Sequence, residues 1–201
     1  MTPPPPKEGT DARIRGILLA AGYGRRFDAD GRRDKLLAPL ADGRPVLWHS
    51  AHALCATLPG SLAVVRPGSP ERVRWLAEAG CEVLQSADAE QGMGSALAHA
   101  VRASATAGGW VVALADMPWL PPALIRAVAD GIDAPESIVA PTCDGQRGHP
   151  VGFGSAWGSR LAALFGDAGA RELLQQATIR LISTEERGVL RDIDTPADLA
   201  G

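Results

Sequence analysis

Short, mostly apolar runs recur along the chain, each followed by a stretch long enough for a helix. This rhythm constrains the fold more than any other feature. Residues 14–20, 62–65, 82–84, 110–115 and 137–140 read as strands. Between them, Leu47, Ala51, Leu54 and Leu58 follow helical spacing, as do Met93, Leu97, Ala100 and Val101, and then Leu124, Ile125 and Val128. Ser69 before Pro70 reads as an N-cap and first helical residue. Strands alternating with helices call for an α/β sandwich, and apolar strands without polar alternation call for a mostly parallel sheet covered on both faces. The second half is less regular. Residues 142–154 form a polar, glycine-rich loop or hairpin, residues 156–164 and 171–177 look helical, and residues 179–182 and 189–193 look like late strands.

At 201 residues the chain fits one domain, and a net charge of -3 disfavours a nucleic-acid partner. Cys55, Cys81 and Cys143 are scattered and odd in number, so neither a disulfide framework nor a zinc knuckle is expected. Neither a signal-peptide core nor a membrane-length apolar run is found, and a cytoplasmic setting is the expectation. Pro3, Pro4, Pro5 and Pro6 make residues 1–13 an extended, disordered tail, leaving residues 14–201 as the folded domain.

The informative segment runs from Leu18 to Phe27: Leu-Leu-Ala-Ala-Gly-Tyr-Gly-Arg-Arg-Phe. A strand entering a glycine turn lets successive backbone N–H groups converge on an anion. Arg25, Arg26 and Lys35 add full charges suited to a triphosphate. A plain strand-to-helix turn with solvated arginines is the bland alternative. The P-loop pattern is absent, and the dinucleotide fingerprint fails where Phe27 replaces its third glycine. Asp42 lies at the distance of a ribose contact, which is what a nicotinamide-dependent oxidoreductase would retain.

The run from Leu19 to Phe27, followed by Lys35-Leu36-Leu37, resembles the signature of MobA-like nucleotidyltransferases. Further segments agree in order: Gln91-Gly92-Met93-Gly94-Ser95, Leu114-Ala115-Asp116-Met117-Pro118, Arg147-Gly148-His149-Pro150-Val151 and Asp192-Ile193-Asp194-Thr195-Pro196. Within that superfamily the chain is most similar to molybdenum cofactor cytidylyltransferases, through Ala21 before Gly22 and the Gln-Gly-Met-Gly and Arg-Gly-His-Pro-Val runs. It departs from them in a longer charged insertion at residues 28–34 and in Ala96, where a serine is common. The resemblance implies a Rossmann-like three-layer α/β/α sandwich of the nucleotide-diphospho-sugar transferase type. It also implies Mg²⁺-dependent transfer of CMP from CTP to the molybdopterin cofactor, with pyrophosphate leaving and an apo molybdenum hydroxylase as a further partner. GTP as donor, a sugar phosphate as acceptor, or a non-catalytic cofactor carrier are the alternatives.

Carried onto this sequence, the resemblance makes Arg26, Lys35 and Asp116 catalytic. Nucleotide binding falls to Leu19, Ala20, Ala21, Gly22, Gly24, Arg25, Gln91, Gly92 and Ser95. Asp116 and Asp194 would hold the metal, with Asp192 the runner-up, and His149 and Arg171 would bind the acceptor. The residues alone leave alternatives open. Asp116 could equally cap a turn before Pro118, and Thr195, Pro196 and Asp198 read as a helix start. Gln91, Gly92 and Ser95 could form a capped turn, Met93 reads as core, and His149 could be merely exposed. Arg171 could pair with the adjacent Glu172, and His49 and His52, lacking a third ligand, read as a solvated face.

Overall fold

The computed structural model describes residues 11–24, 26–28, 30 and 33–200. Residues 1–10 of the expected tail lie outside the described residues. The first strand, β1, already begins at Asp11 (Asp11–Leu19), so the fold starts three residues before the expected boundary.

The elements follow the rhythm of the sequence. After β1 come α1 (Val46–Thr57), β2 (Leu62–Val65), α2 (Pro70–Glu78), β3 (Glu82–Gln85), α3 (Met93–Ala103), β4 (Ala107–Leu114) and α4 (Pro122–Asp130). The second half adds β5 (Ile138–Cys143), β6 (Gln146–Arg147), β7 (Val151–Gly154), α5 (Gly158–Ala162), α6 (Arg171–Gln175) and β8 (Arg180–Ser183). The sheet order is β3-β2-β1-β4-β7-β5-β6, with β8 beside β5. Strands β3, β2, β1 and β4 run parallel, and β8 is parallel to β5. Strand β7 is antiparallel to β4 and β5, and β6 turns back on β5, so the expected hairpin region closes the sheet.

Alternate residues of the same strand enter opposite layers. On one face Leu18, Val111 and Ala113 pack with Leu47, Leu54, Leu76 and Ile125 from α1, α2 and α4. On the other, Ile17, Trp110, Val112 and Phe153 pack with Leu97, Val101, Leu161 and Leu174 from α3, α5 and α6. This is the three-layer α/β/α sandwich expected. Cys55 and Cys81 remain free thiols, although the fold brings their Sγ atoms to 3.1 Å. Among the described residues, no helix is long and apolar enough to cross a membrane.

One expected strand is not formed. Residues 189–193 leave a 3-10 turn (Arg187–Val189) and continue irregularly. Their apolar side chains are buried separately, Val189 in the large cluster and Ile193 against Phe27 and Val46. Single backbone bonds, His149 N to Val189 O and Ile193 N to Asp116 O, replace a ladder.

Trp110 is fully buried, and its indole N–H donates to Ser104 Oγ at 2.9 Å. Ser104→Ala leaves that donor unpaired in the core, so denaturant unfolding should show a loss of ~1–3 kcal/mol. A Ser104→Thr variant, which keeps the acceptor, should lose less.

Candidate active site

The carboxyl ends of β1 and β4 open onto a cleft of about 420 Å³, where α/β sheets bind ligands. Leu19, Ala21, Gly22, Tyr23 and Gly24 form one wall, and Gly92, Met93 and Asp167 another. Arg26, Lys35, Asp116, Asp192 and Asp194 gather at the remaining side.

The charged centre is built from three distant segments. Asp116 follows the end of β4, where the strand's apolar run carries the chain to the cleft. Lys35 opens a 3-10 turn (Lys35–Leu37) capped by Asp34, whose carboxylate accepts from Leu36 N at 3.0 Å. Ile193 is wholly buried and anchors the third segment, so that Asp192 and Asp194, two residues apart, both reach the cleft. Asp198 braces this segment by accepting from the backbone N–H of Asp194 and Thr195 and from Thr195 Oγ1, which keeps its own carboxyl below the usual range. The helix start expected at Thr195 and Pro196 therefore coexists with the acidic pair. Lys35 is only 8% exposed. Its Nζ donates to Asp116 Oδ2 at 2.7 Å, to Ile193 O at 2.9 Å and to Asp194 Oδ1 at 3.4 Å. Arg26 reaches the other oxygen of Asp194 from the solvent side.

Asp116, Asp192 and Asp194 each offer an oxygen within 4.8 Å of the others. Such crowding is costly without a counter-charge. Burial, then the charges of Asp194 and Asp116, push the Asp192 carboxyl above the usual range. Asp116 Oδ1 is buried without a hydrogen-bond partner among the described residues. Oxygen-only donors, an orphaned carboxylate oxygen and excess negative charge suit a hard divalent cation. The cluster can therefore hold one, with Asp192 as a full third member.

Most of the expected nucleotide residues line this cleft: Leu19, Ala21, Gly22, Gly24 and Gly92, with the catalytic candidates Arg26, Lys35 and Asp116. Others do not. Ala20 is fully buried behind the loop. Gln91 is exposed outside the cleft lining, and its neighbour Glu90 lines it instead. Ser95 is buried, and its Oγ accepts from Gly166 N at 3.0 Å. Gly92, at φ +128°, is required by the same contact: a Cβ there would lie 2.3 Å from Asp167 Oδ1 and 2.5 Å from Gly166 C. Arg25 lies outside the described residues. Met93, read as core, is 47% exposed on the rim. His49 contacts Asp42 at 3.1 Å and His52 stacks on Trp48, so the two do not converge on a metal.

A second cavity of about 350 Å³ adjoins the first and shares Leu19, Met93, Leu114 and Asp167 with it. Here the structure brings together both acceptor candidates, His149 and Arg171, with Arg147, which opens the Arg-Gly-His-Pro-Val run but was given no acceptor role from sequence. Apolar walls come from Leu97, Val112, Val151, Phe153 and Leu174. His149 Nδ1 is buried without a partner among the described residues.

This geometry agrees with the comparisons to known proteins. The sequence matches the MobA-like NTP transferase domain over residues 16–181. The chain is a member of the MobA-like NTP transferase family. Rv0371c from Mycobacterium tuberculosis H37Rv has a crystal structure 28% identical to this MobA-like chain, at a TM-score of 0.78, covering 95% of this chain and 97% of that one. Its complex with manganese matches at 26% identity and a TM-score of 0.70, covering 86% and 89%. The molybdopterin-guanine dinucleotide biosynthesis protein A of Archaeoglobus fulgidus shares the fold at 18% identity and a TM-score of 0.62, covering 93% and 95%. The bifunctional protein GlmU of Sphingopyxis alaskensis is 33% identical over 130 residues, 63% of this chain. This MobA-like chain spans 28% of that protein's length.

Burial holds the His149 imidazole below its ordinary range, with Arg147 acting in the same sense, while Asp116 and a backbone hydrogen bond at Val112 oppose it. A histidine more easily protonated when unfolded loses stability as pH falls from the ordinary value of about 6.5 towards its depressed folded value. Chemical denaturation across that window should show wild-type stability falling more steeply than that of His149→Gln. Equal slopes would mean that the ring takes up its proton as readily in the fold as in the unfolded chain.

Proposed function

We propose that the protein transfers CMP from CTP to the phosphate of the molybdopterin cofactor, with Mg²⁺ as its metal. The observation that carries this reading is Lys35 held between Asp116 and Asp194 beneath the glycine loop, beside a second cavity with cationic groups. The loop wall suits a triphosphate, because backbone N–H groups and Arg26 can face its oxygens. The neighbouring cavity supports an acceptor that is both flat and anionic. Val112, Val151 and Phe153 offer apolar surface, Arg147 and Arg171 offer charge, and His149 Nδ1 offers an unused polar contact. Those apolar walls favour a pterin over a sugar.

In the transfer, an acceptor phosphate oxygen bonds to the α-phosphorus as its bond to the β-bridging oxygen breaks, and pyrophosphate carries that oxygen away. Both reactants are anions, so charge neutralisation and alignment dominate the barrier. Asp116, Asp192 and Asp194 would hold the divalent ion, whose chemistry there is Lewis-acid stabilisation of phosphoryl oxygens. Lys35 and Arg26 supply positive charge at the α- and leaving phosphates. Leu19 and Leu114, at the strand ends between the two cavities, orient donor and acceptor towards each other. Ala21 before Gly22, where the guanylyl branch usually carries a second glycine, favours the cytidylyl reading over GTP.

Purified protein with Mg²⁺ and CTP should release pyrophosphate only when the cofactor acceptor is present. Asp116→Ala should lose turnover, and Lys35→Met should lower kcat by about 10²–10³-fold, the scale of removing one preorganised transition-state contact. Unchanged turnover in Asp116→Ala would remove that residue from the mechanism. Release with GTP or with a sugar phosphate would reassign the substrates, and cofactor binding without release would indicate a carrier.

A further inference from the structure

Arg72, on α2, is 3% exposed, and its guanidinium is engaged on all sides. Nε donates to Asp34 Oδ2 at 2.6 Å and Nη2 to Asp34 Oδ1 at 2.8 Å. Nη1 donates to Ala20 O at 2.7 Å, and Nη2 also reaches Gly22 O at 3.1 Å. One side chain thus grips the glycine loop and, through Asp34, the capped turn that presents Lys35.

The loop contacts fix more than position. In a trans peptide the carbonyl and the N–H of one unit point in opposite directions. Holding Ala20 O and Gly22 O towards Arg72 turns the N–H groups of Ala21 and Tyr23 away from it. Ala21 and Tyr23 line the cleft, whereas Ala20 is buried behind it. A Cβ on Gly22 would meet nothing within 4 Å among the described residues. Only a planar fork can serve a carboxylate bidentately and two carbonyls at once; an ammonium cannot.

We propose that Arg72 is a positioning residue for nucleotide binding. It turns the N–H groups of the glycine loop into the cleft and sets their distance from Lys35, so that a triphosphate meets a preformed cradle. The identity of what the cradle binds rests on the nucleotidyl-transfer reading above.

The test compares wild type with Arg72→Lys, following thermal unfolding, the affinity for inorganic triphosphate, and the KM and kcat for CTP with Mg²⁺. Losing charge-assisted hydrogen bonds should weaken triphosphate binding by about 10-fold or more and raise KM similarly, with kcat changing much less. A lowered Tm with triphosphate affinity and KM unchanged would make Arg72 a brace only and overturn the proposal. Should Arg72→Lys not fold, Asp34→Asn carries the same test: weaker triphosphate binding with raised KM supports it, and no change in either overturns it. If wild type transfers no nucleotide, the functional reading fails on its own. The positioning role is then judged from the affinity of each variant for inorganic triphosphate, where a loss of about 10-fold supports it and unchanged affinity overturns it.

Discussion

Everything at the cleft depends on Lys35 lying between Asp116 and Asp194. Three carboxylates within 4.8 Å repel one another, and two of them, Asp116 and Asp194, are partly buried. A buried ammonium, backed by the carbonyl of Ile193 and by Arg26 on the outer side, makes that assembly tolerable. The contact also closes the fold topologically. It joins the loop after β1, the end of β4 and the last segment of the chain, which share no sheet pairing at that point. Under the proposed function, a divalent ion on the carboxylates would leave the same two cations available to phosphate oxygens. Their charges would then be held in ion pairs until substrate arrives.

The strand-and-helix rhythm was legible because burial on both faces of a parallel sheet leaves mostly apolar runs, and the first five strands fall where those runs lie. Residues 189–193 misled because three apolar residues in five look like a strand, whereas here Val189 and Ile193 fill separate clusters on either side of a bend. The acidic pair still converges, since Ile193 pointing inward leaves Asp192 and Asp194 pointing outward with or without a ladder. Asp116 and Lys35 were legible through motif and chemistry together, the first at the end of the most apolar strand and the second as the cation nearest the loop.

Other parts of the site had no local signal. Gly92 and Ser95 carry a motif that reads as a nucleobase turn, yet both meet the 166–167 segment, more than seventy residues away. Nothing in either segment announces the other. Arg72 was invisible for a stronger reason: two of its partners are backbone carbonyls, which every residue owns, and the third, Asp34, lies in the charged insertion, where nothing marks one carboxylate from another. Met93 was misread because a methionine at helical spacing is usually core, but at the first position of α3 it projects over the cleft instead.

The two cavities share four lining residues among those described, Leu19, Met93, Leu114 and Asp167. Leu19 and Leu114 are the last residues of β1 and β4 and register partners in the sheet, with Leu19 O accepting from Ala115 N. Their backbone is fixed by the sheet and their side chains are apolar, whereas Met93 from α3 and Asp167 complete the partition. Charged groups stand on either side of it, Lys35 and Arg26 towards the glycine loop and Arg147 and Arg171 towards the hairpin. Under the proposed transfer, two anions drawn to those separate charges would meet across this shared wall. Cations held apart in this way would offset the repulsion between them as they approach.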